Sequence, residues 1–181
     1  MGNKQYIALL RGINVGGHRP LKMDDLRSMF RAAGHENVTT YIQSGNVIFD
    51  SAPSDPDDLS RRLALQIEDS FGYEVPVIVR AASEVRKLLA QFPFEEREGW
   101  MGYISFLPGT PSGENIDTLE SQGGEIELFK VGDRVVYSLV DKQTSGKPLF
   151  SNSFIEKSIG MPATTRNLRT VGRIVELAGA D

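Results

Sequence analysis

Arg11 ends an apolar run, Tyr6 to Leu10, and three glycines follow it within six residues: Gly12, Gly16 and Gly17. A guanidinium beside glycine-borne N–H groups suits an anion, because glycine lets a ligand approach the main chain closely. Asn14 stands in the same loop. A second polar stretch, Tyr41 to Val47, places Gln43, Ser44 and Asn46 at the tip of an expected hairpin. A third, Ala163 to Val171, carries Thr164 and Thr165 where either hydroxyl caps the last helix and presents its positive end. Arg166, Arg169 and Arg173 then fall on one face of that helix. These residues define an expected site for a small anionic ligand bearing phosphate or carboxylate. Arg11 and Arg166 neutralise its charge. Gly16, Gly17 and the helix start at Thr165 supply N–H groups. Asn14, Gln43, Ser44, Asn46 and Asn167 orient it. The expectation is geometric: the three stretches meet in one cleft between two units.

Each stretch also has a plainer reading. The glycine loop serves equally as a wide turn that needs positive φ. The hairpin tip holds ordinary turn formers. The arginine face is that of a solvated amphipathic helix. Known phosphate motifs do not fit. A dinucleotide-binding loop needs a glycine where Asn14 stands, and a helix at once after it. Gly146-Lys147 lacks the leading glycine of a P-loop and is followed by Pro148, not Ser or Thr. Ser44 and Ser145 have no histidine near them in sequence and no G-x-S-x-G elbow. No catalytic constellation emerges, so enzyme status stays open, with the balance against it.

The elements that must position these residues follow from periodicity. Tyr6 to Leu10 is apolar on both faces, as a strand covered on both sides is. Leu26, Met29, Phe30 and Ala33 mark a helix over 22–33, ended by Gly34. Strands over 38–43 and 46–50 flank Ser44-Gly45 as a hairpin. Leu59, Leu63, Ile67 and Phe71 recur every four residues along a helix over 57–71, and Gly72 stops it. A strand over 74–80 contains Pro76, which assigns it to a sheet edge. The order β-α-β-β-α-β is the ferredoxin-like layout: a four-stranded antiparallel sheet with two helices on one face. Beyond residue 81 the pattern continues less cleanly. A helix is expected over 82–92, a strand over 103–107, a helical turn near 116–119, a hairpin about Gly132-Asp133, and helices over 150–159 and 167–178. The fold class is therefore α+β, two ferredoxin-like units over 1–81 and 82–181, the second modified and carrying the C-terminal helices.

Composition narrows the function. The chain has 181 residues, enough for one ordinary domain or two small ones, and a net charge of −4. An acidic chain is a poor generic nucleic-acid binder. Locally, six Lys or Arg residues stand against Glu156 between Lys142 and Arg173, a patch for an anion or an acidic partner. There is no cysteine, which excludes disulfides and thiolate zinc sites, and the two histidines form no ligand pair. No motif asks for a cofactor or a metal. No apolar run reaches membrane-spanning length, so a cytoplasmic protein is expected. Two alternatives to ligand binding are weighed. One is a protein–protein or homodimerisation module without catalysis. The other, least supported, is RNA recognition on the sheet, for which the aromatic pattern of an RNA-binding strand is missing.

The segments A-L-L-R-G-I-N-V-G-G, T-Y-I-Q-S-G-N-V, V-P-V-I-V-R and T-T-R-N-L together resemble an uncharacterised bacterial family, domain of unknown function number 1697 (DUF1697). The resemblance spans nearly the whole chain and implies a pair of ferredoxin-like α+β units. It implies no activity, substrate or cofactor. Leu168 stands where the family usually has tryptophan, so a ligand stacked there in the family would meet a different surface here.

Overall fold

A computed structural model describes residues 2–16 and 19–179. Contacts cluster into two units: one holds the described residues up to Lys87 together with those from Arg173 on, the other runs from Leu88 to Gly172.

In the first unit the order is β1 (Lys4–Leu10), α1 (Met23–Ala32), β2 (Glu36–Tyr41), β3 (Asn46–Ser51), α2 (Pro56–Phe71) and β4 (Val77–Ala81), followed by α3 (Ala82–Ala90). The antiparallel sheet runs β2-β3-β1-β4, with β1 and β3 central, as a ferredoxin-like unit requires. Register follows from the alternation. Tyr6 faces Phe49 and Ala81, and Ile7 faces Ile48 and Arg80. Tyr6, Ala8 and Leu10 point to the helices and pack with Leu26 and Phe30 of α1 and Leu59, Leu63 and Ile67 of α2. Each fully buried side chain of this kind stabilises by about 1.5–3 kcal/mol. Ile7 and Leu9, on the opposite face, are buried as well, so β1 is covered on both sides as its double apolar pattern requires.

Local chemistry sets the element ends. The Asp55 carboxylate accepts from the N–H groups of Asp57 and Asp58 at 2.8 and 3.1 Å and caps α2, with Pro56 next to it. Gly72, at φ 80°, ends the helix in the left-handed conformation. Strand β4 is an edge, and Pro76 lies just before it rather than within it. Its Val79 N–H is taken by the Ser60 hydroxyl of α2 at 2.9 Å, so this edge is partly closed by the helix above it. The β2–β3 connection is longer than the sequence suggests. Tyr41 pairs with Asn46, leaving four residues in the turn, with Ile42 and Gly45 at positive φ.

The second unit comprises β5 (Trp100–Phe106), α4 (Gly113–Ser121), β6 (Glu127–Gly132), β7 (Val135–Asp141), α5 (Asn152–Ile159) and β8 (Thr164–Asn167), with α6 (Leu168–Ala178) continuing from β8. Its sheet runs β6-β7-β5-β8, the same strand order as the first. Leu107, Leu119, Phe129, Val136, Ile155, Ile159 and Ala163 form the core beneath α4 and α5. The two units are ferredoxin-like, the second closing on a strand of only four residues. That strand corrects two expectations. Arg166 lies on it and not on the last helix with Arg169 and Arg173. Thr164 and Thr165 do not cap the last helix; they pair with Phe106 and Ser105 of β5. The cap comes from Asn167, whose Oδ1 accepts from the Thr170 N–H at 2.8 Å.

Candidate functional site

The loop between β1 and α1 is built on left-handed residues: Gly12 (φ 69°), Asn14 (55°), Gly16 (57°) and Arg19 (48°). Gly17, also named from the sequence, lies outside the described residues. Asn14 organises the loop. Its Oδ1 accepts from the Leu21 N–H at 2.8 Å, and its Nδ2 donates to the carbonyls of Leu21 at 2.9 Å and Gln43 at 2.8 Å. Asparagine tolerates positive φ better than most residues, which suits it to this place. The hairpin tip meets the same region, where the Leu10 N–H donates to the Gly45 carbonyl at 2.8 Å. Asn46 is fully buried and donates through Nδ2 to the Tyr41 carbonyl at 2.9 Å and to Ser44 Oγ at 3.1 Å. The fold therefore brings Arg11, Asn14, Gln43, Ser44 and Asn46 to one end of the first sheet. The amides of Asn14 and Asn46 are engaged there in main-chain bonds.

Arg11 leads to a cavity of about 460 Å³. Its N–H donates to the Pro76 carbonyl at 3.0 Å, and its side chain lines the cavity with Arg19 and Arg61. Arg19 Nη1 comes close to Gly12, 3.6 Å from where a Cβ would stand, and it is the φ of 69° at Gly12 that favours glycine there. The segment after Arg19 is tied down by Tyr73, whose hydroxyl donates to the Pro20 carbonyl at 2.8 Å. Burial raises the Tyr73 pKa, and the charge of Arg19 opposes that rise. Arg61, on α2, also pairs with Asp58. Glu68, Glu74, Ala64, Leu65, Val75 and Pro76 complete the lining. Gln43 lines a different cavity of about 440 Å³ with Lys22, Arg27 and Thr40.

In the second unit Thr165, Arg166 and Asn167 are consecutive on β8. The Thr165 hydroxyl bonds Ser105 Oγ at 2.7 Å and donates to Asn152 Oδ1 at 2.8 Å, fastening β8 to β5 and to the start of α5. Arg166 Nη1 donates to the Thr165 carbonyl at 2.9 Å. Burial pushes its pKa down to about 10, so it stays a cation at neutral pH. Leu168 packs over Gly102, where an added Cβ would come within 2.5 Å of Leu168 Cδ1.

Of the residues named from the sequence, Arg11 alone lines the arginine cavity; Arg19, Arg61, Glu68 and Glu74 carried no motif. Their meeting depends on the left-handed turn at Gly12 and Arg19 and on the pitch of α2. Among the described residues no three His, Asp or Glu side chains gather as a metal site, and no helix is long and apolar enough to cross a membrane.

Fold and site together define an α+β protein of two ferredoxin-like units with an arginine-lined cavity in the first. The chain belongs to the family described as protein of unknown function (DUF1697), whose model matches residues 3–137. A similar solved structure is that of the conserved bacterial protein SP0830 from Streptococcus pneumoniae, 21% identical, with a TM-score of 0.68 over 98% of this chain and 99% of that one. At that identity the likeness is one of fold. No curated protein matches the chain.

Proposed function

We propose that this protein binds a small anionic ligand, bearing phosphate or carboxylate, in the cavity lined by Arg11, Arg19 and Arg61. One observation carries the reading: three arginines, Arg11 and Arg19 from the β1–α1 loop and Arg61 from α2, line a single hollow of about 460 Å³. Guanidinium is the side chain best shaped to grip carboxylate or phosphate through paired N–H donors. The volume is that of a small-molecule pocket, commonly about 300–1,000 Å³.

Thermal unfolding with added ligand tests the reading, because an anion that binds the folded chain stabilises it by mass action. At constant ionic strength, inorganic phosphate or simple carboxylates should raise the melting temperature. Arg19→Ala should abolish that rise while leaving the melting temperature of the unliganded protein nearly unchanged. A rise in Arg11→Ala and Arg19→Ala as large as the parent protein's, or none in the parent protein, ends the proposal.

A further inference from the structure

The arginine cavity carries charge of both signs. Glu68 and Glu74 share its lining with Arg11, Arg19 and Arg61. Among the described residues neither carboxylate forms an ion pair, and Arg19 forms none either, while Arg61 turns to Asp58 outside the lining. The acids and Arg19 are thus held around one hollow without neutralising each other. A compact dianion would gain from the arginines and be repelled by the two glutamates. The rest of the lining is Ala64, Leu65, Val75 and Pro76, and Leu65 leaves 61% of its surface in water. Leu65 supplies the exposed apolar surface of this lining.

Resting on the anion-binding reading above, we infer that the ligand is amphoteric: a short peptide or amino acid with a free carboxylate, a free ammonium and an apolar side chain. The carboxylate goes to the guanidinium groups of Arg11 and Arg19. The ammonium goes to Glu68 or Glu74. The side chain lies on Leu65. A ligand with one charge of each sign satisfies both halves of the lining, which neither inorganic phosphate nor a purely anionic acid does.

Calorimetric titration of the full chain separates these cases with three probes: leucyl-leucine, its N-acetyl form and inorganic phosphate. Acetylation removes the ammonium and keeps the carboxylate, so it should weaken binding by roughly tenfold or more, the usual scale for losing one charged contact. The double variant Glu68→Gln, Glu74→Gln should weaken the free dipeptide to a similar degree and leave the acetylated form unchanged. Both positions are exposed, so the variant keeps its core. If the acetylated dipeptide or phosphate binds as tightly as the free dipeptide, the amphoteric ligand is refuted and the anion site stands. If none of the three binds, both readings fall.

Discussion

Asn14 and Gln43, 29 residues apart, are joined by a bond of 2.8 Å from the Asn14 amide to the Gln43 carbonyl. The contact fixes the glycine loop against the hairpin tip and, with the two bonds to Leu21, consumes both ends of the Asn14 amide. Replacing Asn14 by alanine removes three hydrogen bonds and puts an ordinary residue at φ 55°. With each bond contributing about 1 kcal/mol net, the loss should be about 2–4 kcal/mol, measured by urea unfolding. Asn14→Asp keeps the acceptor for the Leu21 N–H but turns a carboxylate oxygen toward the Leu21 and Gln43 carbonyls, so it should be no more stable than Asn14→Ala. If Asn14→Ala is as stable as the parent protein, the loop is not organised by this side chain.

Gly45, two residues beyond Gln43 on the same hairpin tip, accepts through its carbonyl from the Leu10 N–H. Its φ is 77°, and a Cβ there would lie 2.7 Å from both Ile13 Cδ1 and Leu10 Cβ. Leu10 is a main-chain neighbour of the sheet and cannot retreat without breaking its bond to the Gly45 carbonyl. Gly45→Ala therefore meets backbone strain and overpacking together, and should cost about 2–4 kcal/mol by chemical denaturation. Gly34→Ala, at φ 87° with nothing near its Cβ, separates the two causes. It should cost only the conformational part, about 1 kcal/mol. Equal losses at the two positions would show that the contact with Ile13 and Leu10 adds nothing.

The same loop shows how much the sequence reveals. The first unit was legible because its elements announce themselves: β1 is apolar on both faces, α2 repeats apolar residues every four positions, and Pro76, just before β4, marks that strand as an edge. Strand β8 was not. Thr164 to Asn167 is four polar residues with no alternation, and it becomes a strand only by pairing with β5, with the Thr165 hydroxyl on Ser105. Helix α4 carries one buried residue, Leu119, which is too weak a period to show its nine-residue length. In the cavity, Arg11 was legible from its glycines. Arg19 was not, because its guanidinium nears Gly12 only through a positive φ at Arg19 itself, which arginine's propensity does not forecast. Arg61, Glu68 and Glu74 look like any solvated residues on and after a helix.

Glu127 holds the loop that precedes α5. The residue is buried, and its two carboxylate oxygens accept from the N–H groups of Leu149 at 3.0 Å and Phe150 at 2.9 Å. It thereby supplies the acceptors a neighbouring strand would otherwise give. Glu127→Ala leaves two N–H groups without partners and should cost about 2–4 kcal/mol. Glu127→Gln retains one acceptor and should cost about half as much. Amide exchange at Leu149 and Phe150 reads the cause directly: it should speed up in Glu127→Ala by more than the global loss of stability accounts for. Exchange that stays slow at both amides would separate Glu127 from the loop.

His35 makes the first unit sensitive to mild acid. Its ring lies 4.7 Å from the Phe49 ring and 5.8 Å from that of Phe30, and its Nδ1 is buried without a hydrogen-bond partner. Burial, and then the charge of Arg62, lower its pKa below the ordinary value of 6.5. The folded ring therefore stays neutral at a pH where the unfolded chain already binds a proton. Stability from this group is complete above about pH 6.5, where both states are neutral. It declines as pH falls below that value and stops declining once the folded ring is also protonated. The slope cannot exceed about 1.4 kcal/mol per pH unit for one group. Urea unfolding at about pH 7.5 and about pH 5 should show the parent protein losing more stability than His35→Phe, which keeps an aromatic ring beside Phe30 and Phe49 and cannot titrate. Carboxylates and the second histidine titrate in both proteins, so the difference between the two slopes belongs to His35. Parallel slopes would place its proton affinity at the ordinary value in the folded state.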